Sequence, residues 1–484
     1  MEVSDLVVVG GGINGAGIAR DAAGRGLSVT LVEKSDLAVA TSSASSKLIH
    51  GGLRYLEQYE FRLVAESLAE RETMLRIAGH LTWPTRFLMP HVPELRPRWM
   101  IRTGLFLYDH LARRSLLPAS RAVRLDQPPY NAGLRPELRH GFAYSDCRVD
   151  DSRLVVVNAL DAQGHGARIL VGVECRRARR EDGVWRVELS SGETLRARAV
   201  VNAAGPWVKR VLNEDLGQST RDSVRLVKGS HIVLPRLYEG THAFILQNED
   251  RRVVFMIPYE DRFTLIGTTD VDFEGDPLRV EASDAEIDYL CRAAARYLAR
   301  PPQPSEVLWT YAGVRPLYDD GSHDPSAITR DYTLRVDDVD GKAPVLSVFG
   351  GKITTYRRLA EHALEKLAPY FPGMKPAWSG QAPLPGSDYR DREAAKREVW
   401  QRYPQVPPNV LQGVFRRHGT LAPRVLGDGK LGEYYGAGLT EREVAYLREH
   451  EWARSVEDIL WRRTKCGLRM TEAQRSRVAQ VVAR

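Results

Sequence analysis

Cysteine is scarce. Cys147, Cys175, Cys291 and Cys466 are spread over 484 residues with no Cys-x-x-Cys pair, which excludes a disulfide framework and a zinc site of the usual spacing. No two of the 12 histidines fall within four positions of each other, so a local metal motif is missing too and no metal is expected. Long apolar runs are absent: nothing approaches the roughly 18 uninterrupted apolar residues of a spanning helix. The N-terminal region lacks the charged, apolar and small-residue segments of a secretory signal. A cytosolic or cytosol-facing protein is expected. Hydrophobic residues at 43% and charged residues at 27% exclude both a disordered chain and a multi-span membrane protein. The length calls for two or three compact units. Lys and Arg outnumber Asp and Glu, giving a net charge of +7 and pointing to an acidic partner: nucleic acid, anionic lipid or a phosphorylated substrate.

What is present starts at the N-terminus. Residues 6–9, Leu-Val-Val-Val, suit a buried parallel strand. They run into Gly10-Gly11-Gly12-Ile13-Asn14-Gly15, where Gly10, Gly12 and Gly15 fit G-x-G-x-x-G. A helix over 16–25 and a strand over 28–32 follow, closing on Glu33 and Lys34. Strand, glycine turn, helix, strand and acid together read as a dinucleotide site. Gly10 makes the tight turn, Gly12 lets backbone approach a pyrophosphate, and Gly15 lets helix and sheet pack closely. The helix N-terminus favours the negative charge. Glu33 accepts from a ribose hydroxyl and argues against a 2′-phosphate, so NADP is disfavoured while FAD and NAD stay open.

The small, serine-rich stretch 35–55 reads as a loop that comes close to a second part of the ligand. Residues 61–79 read as an amphipathic helix whose charges form a solvated face. Over 95–124, Trp99, Met100, Ile101, Leu105, Phe106, Leu107, Tyr108 and Leu111 alternate with seven arginines, and Asp109 is the one acid. That mixture suits an anionic lipid surface; a core helix with basic flanks is the alternative. Residues 168–203 read as β structure ending at Ala203-Ala204-Gly205-Pro206-Trp207. Residues 225–270 alternate with period two, as in an antiparallel sheet. A helix is expected over 285–299 and a strand and turn over 312–317. Val348-Phe349-Gly350-Gly351-Lys352 forms a strand and turn before a helix over 357–368. The Pro- and Gly-rich stretch 371–388 reads as a linker. Residues 389–484 show helical periodicity, no strong strand, and nearly all of the net positive charge.

Seven segments then coincide with one family. They are GGGINGAGIARDAAGRGL at 10–27, SSKLIHGGLRYL at 45–56, NAAGPWV at 202–208, KGSHIV at 228–233, IGTTD at 266–270, GVRPL at 313–317 and FGGKITTYR at 349–357. With WRRTK at 461–465, the chain closely resembles the FAD-dependent aerobic glycerol-3-phosphate dehydrogenases over essentially its whole length. The resemblance implies oxidation of sn-glycerol 3-phosphate to dihydroxyacetone phosphate, with FAD bound non-covalently and electrons passed to a membrane quinone. It implies a peripheral protein on the cytoplasmic face of the inner membrane, touching anionic lipid, with a homodimer open and no nucleic-acid partner. An oxidase using O2, an amino-acid oxidase and a basic nucleic-acid-binding protein are the competing readings. The fold expected is α/β: a Rossmann-like FAD-binding domain (1–75, 150–222 and 335–370), an antiparallel-sheet substrate and membrane-facing domain (76–149 and 223–334), the linker 371–388, and an all-helical C-terminal domain (389–484).

A phosphate carrying about −1.5 to −2 charges needs fixed cations. Arg54, Arg315 and Lys352 lie in the matched segments and are the candidates, with Tyr55 and Thr268 as lining residues. Removing the C2 hydroxyl proton needs a base, and His50 and His231 both sit in suitable segments, with a slight preference for His231. His50 is also a candidate flavin contact. Cofactor contacts are expected from Gly10, Gly12, Ile13, Asn14, Gly15, Glu33, Lys34, Ser42, Ser45, Ser46, Gly51, Gly52, Val173, Ala204, Gly205, Trp207, Gly351, Lys352 and Thr354.

Overall fold

Short apolar runs rich in Val, Ile and Leu become the centre of a parallel sheet in the computed structural model, which describes residues 2–92, 94–250, 252–319 and 331–483. Val3–Val9 lies between Val29–Glu33 and Thr194–Asn202, and Lys342–Gly350 and Arg168–Val171 extend the parallel set on either side. Tyr332–Val339 adds an antiparallel edge, and the hairpin Cys175–Glu181 with Val184–Leu189 branches from Thr194–Asn202. Burial on both faces explains the unbroken apolar runs. Helices Ile13–Gly24, Asp151–Gly164 and Tyr356–Leu367 contribute to one large apolar core with the central strands.

The period-two segments form a second, ten-stranded sheet. Its longest pairing runs antiparallel between Val224–Pro235 and Trp309–Tyr318, over ten positions. Phe263–Gly267, Val253–Tyr259, Ala243–Gln247, Thr82–Pro90 and His140–Val149 continue the order. Leu48–Ile49, in the segment assigned to the first domain, pairs with Arg148 and Cys147 of this sheet. The loop 35–55 therefore passes from one sheet to the other.

Two expectations need correction. The helix Phe61–Ile77 forms, but its charges are not simply solvated: Glu70, Arg71 and Glu72 are buried. Arg71 pairs with Asp146, and Glu70 is gripped by both arms of Arg357. The stretch 371–388 does not behave as a free linker. Leu384 and Ser379 are buried, Trp378 packs on Gly24, and Ser387 bonds His80. Beyond it lie helices Arg392–Arg402, Pro408–His418, Glu441–His450 and Glu472–Val482 around their own core, with a small strand pair at Tyr434–Gly436 and Leu439–Thr440. Buried ions join this unit to the rest: Arg153 meets Glu451 and His418, and Arg463 meets Asp36. Among the described residues no helix is long and apolar enough to cross a membrane.

Candidate active site

The glycine turn sits at the C-terminal end of Val3–Val9, where a parallel sheet opens toward ligand. Gly10 has φ +114°, and a Cβ there would lie 2.5 Å from the Ala203 carbonyl oxygen. A Cβ on Gly15 would lie 1.9 Å from the Gly10 carbonyl oxygen, so only glycine lets the helix approach this closely. Ser42 Oγ accepts the Ile13 N–H at 3.0 Å, tying the serine-rich loop to the helix N-terminus. Glu33 takes the Gly11 N–H on one oxygen and the Ser35 N–H on the other, each at 2.7 Å. Burial raises its carboxyl above the ordinary range, against the lowering effect of these two bonds. Each oxygen keeps a lone pair for a hydroxyl.

From this turn a cavity of about 360 Å³ runs between the two sheets. Gly10, Gly12, Ile13, Asn14, Glu33, Lys34, Ser42, Ser45, Ser46, His50, Gly52, Arg54, Tyr55, Ala204, Gly205, Trp207, Thr268, Arg315, Gly351, Lys352 and Thr354 all line it. At one end Lys34 Nζ stands 4.7 Å from the centre of the Trp207 ring. At the other, Arg315 Nη1 donates to Asp270 at 2.8 Å and to the Thr269 carbonyl at 3.2 Å, and Nη2 donates to Thr268 Oγ1 at 2.8 Å. Gly229 makes room for that guanidinium, since a Cβ there would lie 2.2 Å from it. Lys352 Nζ stands 3.8 Å over the Tyr55 ring, a cation–π contact. Arg54 shares the wall.

His50 also lines this cavity. Its N–H donates to Thr354 Oγ1 at 3.3 Å, and its ring meets Phe255 edge-on at 5.9 Å. Burial, then Lys352 and Arg71, push its imidazole down to about 3, so it is neutral.

Four expected residues stand back from the cavity. His231, the slightly preferred base, is 2% exposed and lies behind Ser46, whose Oγ is 3.0 Å from its Nε2. Its ring stacks on Tyr311 at 4.7 Å, and Nδ1 has no hydrogen-bond partner. Burial, then Arg315 and Lys47, hold it well below its ordinary value. Gly51 is covered by Leu68 and donates its N–H to Tyr108 Oη at 2.8 Å. Val173 is spent on a backbone bond to the Glu33 carbonyl at 2.9 Å, and its neighbours Glu174 and Cys175 reach the wall instead. Gly15 serves helix packing. Sequence reasoning missed Asp270 and Gly229, although both lie in segments it singled out. Phe255 and Ile245 carried no signal beyond strand alternation.

A model of the FAD dependent oxidoreductase family matches residues 5–357, and one of the C-terminal domain of alpha-glycerophosphate oxidase matches residues 378–484. The glycerol-3-phosphate dehydrogenase of Pseudomonas aeruginosa is 54% identical over 99% of this chain and 95% of its own. The aerobic glycerol-3-phosphate dehydrogenase of Escherichia coli is 51% identical over 99% and 97%. The chain belongs to the FAD-dependent glycerol-3-phosphate dehydrogenase family. A relative in the same identity range, from Brucella abortus, is named D-erythritol 1-phosphate dehydrogenase (48% identical over 98% and 97%). The fold agrees with the solved glycerol-3-phosphate dehydrogenase of Bacillus halodurans complexed with FAD: TM-score 0.74, 25% identity, covering 100% of this chain and 94% of that one. The second family model begins at 378, inside the stretch expected as a linker. The residues present fit FAD. Gly12 leaves the backbone open at a helix N-terminus that Gly10 and Gly15 allow to pack closely, Glu33 keeps free lone pairs, and the same cavity reaches Gly205, Gly351, Thr354 and the cations.

Proposed function

We propose that this family member oxidises the C2 hydroxyl of sn-glycerol 3-phosphate to the ketone of dihydroxyacetone phosphate and delivers the electrons to a membrane quinone. The observation that carries the reading is a single cavity lined by Arg54, Arg315 and Lys352 and by a neutral His50. Bound FAD supplies the hydride acceptor. The chain's own residues supply position, charge and a proton acceptor.

Arg315 and Lys352 offer a fork and a point charge to a phosphate dianion, and Arg54 adds a third cation. Asp270 and Thr268 fix the Arg315 plane, so little side-chain freedom is lost on binding. His50 takes the C2 hydroxyl proton, which raises the electron density that expels the hydride. The incoming dianion offsets the field of Lys352, one of the charges that depress His50, and so makes the imidazole a better base as substrate binds. His231 holds the Ser46 hydroxyl and acts as a positioning residue.

An apolar acceptor calls for docking on a bilayer. The helix Arg98–His110 buries Ile101, Leu105 and Tyr108 and exposes Trp99, Met100, Phe106 and Leu107, with Leu116 just beyond. Arg98, Arg102 and Arg113 are exposed around it. This is the face we assign to anionic lipid on the cytoplasmic side of the inner membrane. The decisive assay measures dihydroxyacetone phosphate and hydrogen peroxide together, on anionic vesicles containing quinone. Product without matching peroxide supports the reading. One peroxide per product, unaffected by quinone, makes the protein an oxidase instead. D-Erythritol 1-phosphate run in competition tests the nearest substrate alternative.

A further inference from the structure

A second cavity, of about 190 Å³, opens where the antiparallel sheet, the turn after it and the C-terminal helices meet. Five cations face it, Lys47, Arg148, Arg392, Arg416 and Lys465, against the carboxylates Asp150, Glu260 and Asp261. Internal pairing accounts for only part of this charge. Arg416 forks onto Glu260, Lys465 lies 3.4 Å from Asp150, and Lys47 lies 2.9 Å from Asp151.

Arg148 is left over. Its Nε donates to Thr85 Oγ1 at 3.1 Å and its Nη1 to the Pro258 carbonyl at 2.8 Å, both neutral acceptors. Among the described residues no carboxylate pairs with it. Burial, then the neighbouring Arg416, weakens its hold on its proton. Arg392, also on the lining, has a 3.8 Å contact with Glu393 and stands 5.8 Å over the Phe415 ring, and its Nε is buried without a hydrogen-bond partner, as is the Tyr259 hydroxyl. Each of these groups can donate, and a guanidinium partly withdrawn from water without a close counter-ion is costly. What they lack is a compact group made of acceptors. The volume is below the ~300–1,000 Å³ of a drug-sized pocket, which leaves no room for a nucleotide.

We propose that this cavity is a second oxyanion site, taking inorganic phosphate or a small phosphate monoester on Arg148, Arg392 and Tyr259. Lys47, on its wall, directly follows Ser45 and Ser46 of the main cavity, so the two sites share one loop. The main cavity also binds oxyanions, so the test must count sites. Calorimetric titration of the FAD-loaded full chain with inorganic phosphate is expected to show two sites. Arg148→Met removes one of them and leaves KM for glycerol 3-phosphate within twofold, and Arg315→Met removes the other. Arg148→Met loses most of the phosphate-induced rise in Tm that the parent shows. Arg392→Gln gives the same loss of one site by an independent route. In the Arg315→Met background, displacement of phosphate by glycerol 3-phosphate marks a site open to monoesters, and no displacement restricts it to the inorganic ion. A single site in the parent that disappears in Arg315→Met, or unchanged phosphate binding in both Arg148→Met and Arg392→Gln, overturns the proposal.

Discussion

The two sheets build the cavity from different materials. The parallel sheet contributes backbone: glycines stripped of Cβ, a helix N-terminus, and one buried carboxylate holding two N–H groups. The antiparallel sheet contributes side chains, Arg315, Asp270, Thr268 and Phe255, each with its own partners. Backbone sites are fixed by sterics and accept almost no substitution. Side-chain sites are fixed by charge and hydrogen bonds and fail by degree. The first suits a cofactor of constant shape, the second a substrate that must be told apart from its analogues.

Substitutions measure that contrast. The largest effect is expected at Gly10 and Gly15. Alanine there collides with backbone, so Gly15→Ala should purify without flavin absorbance or fail to fold, read from the visible spectrum and circular dichroism. Gly205→Ala sharpens the point: no atom lies within 4 Å of an added Cβ, but φ is +56°. It should keep FAD and lose only about 1–2 kcal/mol of stability, the cost of a left-handed backbone. Next, His50→Asn should lower kcat by ~10²–10⁴-fold, the usual range for a lost general base. His231→Asn should cost less than that, because Ser46 stands between it and the cavity. Arg315→Met should raise KM for glycerol 3-phosphate by ~10–100-fold, as expected for lost charge-assisted bonds worth ~1.5–3 kcal/mol. Asp270→Asn should do less, since the guanidinium remains.

The pH profile is a gentler test. With its folded pKa down near 3, His50 stays unprotonated through the neutral range. Protonation would inactivate it, so the loss of kcat/KM due to this residue belongs near pH 3, and the profile should show no His50-dependent fall between pH 8 and 5. An acid limb near 6.5 that vanishes in His50→Asn would contradict the neutral-base assignment. The smallest expected effect lies outside the cavity. Reversing Arg98, Arg102 and Arg113 to Glu should leave turnover with a soluble dye acceptor unchanged while weakening binding to anionic vesicles by ~10²-fold or more, at ~1 kcal/mol per basic residue lost.

The parallel half was legible because its signals are local: strand, glycine spacing and acid all lie between Leu6 and Glu33. Fold class and cofactor followed from them together with the other matched segments. The rest depended on distant partners. Nothing near Arg71 shows that Asp146 will pair with it, so a buried ionic face read as a solvated one. Pro and Gly in 371–388 announced irregular backbone correctly, but not that Trp378 and Leu384 would pack it down. His50 and His231 both had a claim in sequence, with a slight preference for His231. What the sequence could not show is that the fold lines the cavity with His50 and holds His231 against Ser46, four residues from the first and 185 from the second.

A phosphate grip beside a proton acceptor in a flavin cavity is tested most directly by anaerobic mixing of the FAD-loaded protein with glycerol 3-phosphate. Flavin absorbance should bleach rapidly with the phosphate ester and not with glycerol. The same bleaching should be saturable only at much higher substrate in Arg315→Met, and slow at any concentration in His50→Asn. Equal bleaching by glycerol, or a His50→Asn protein that bleaches at the parent's rate, would contradict it.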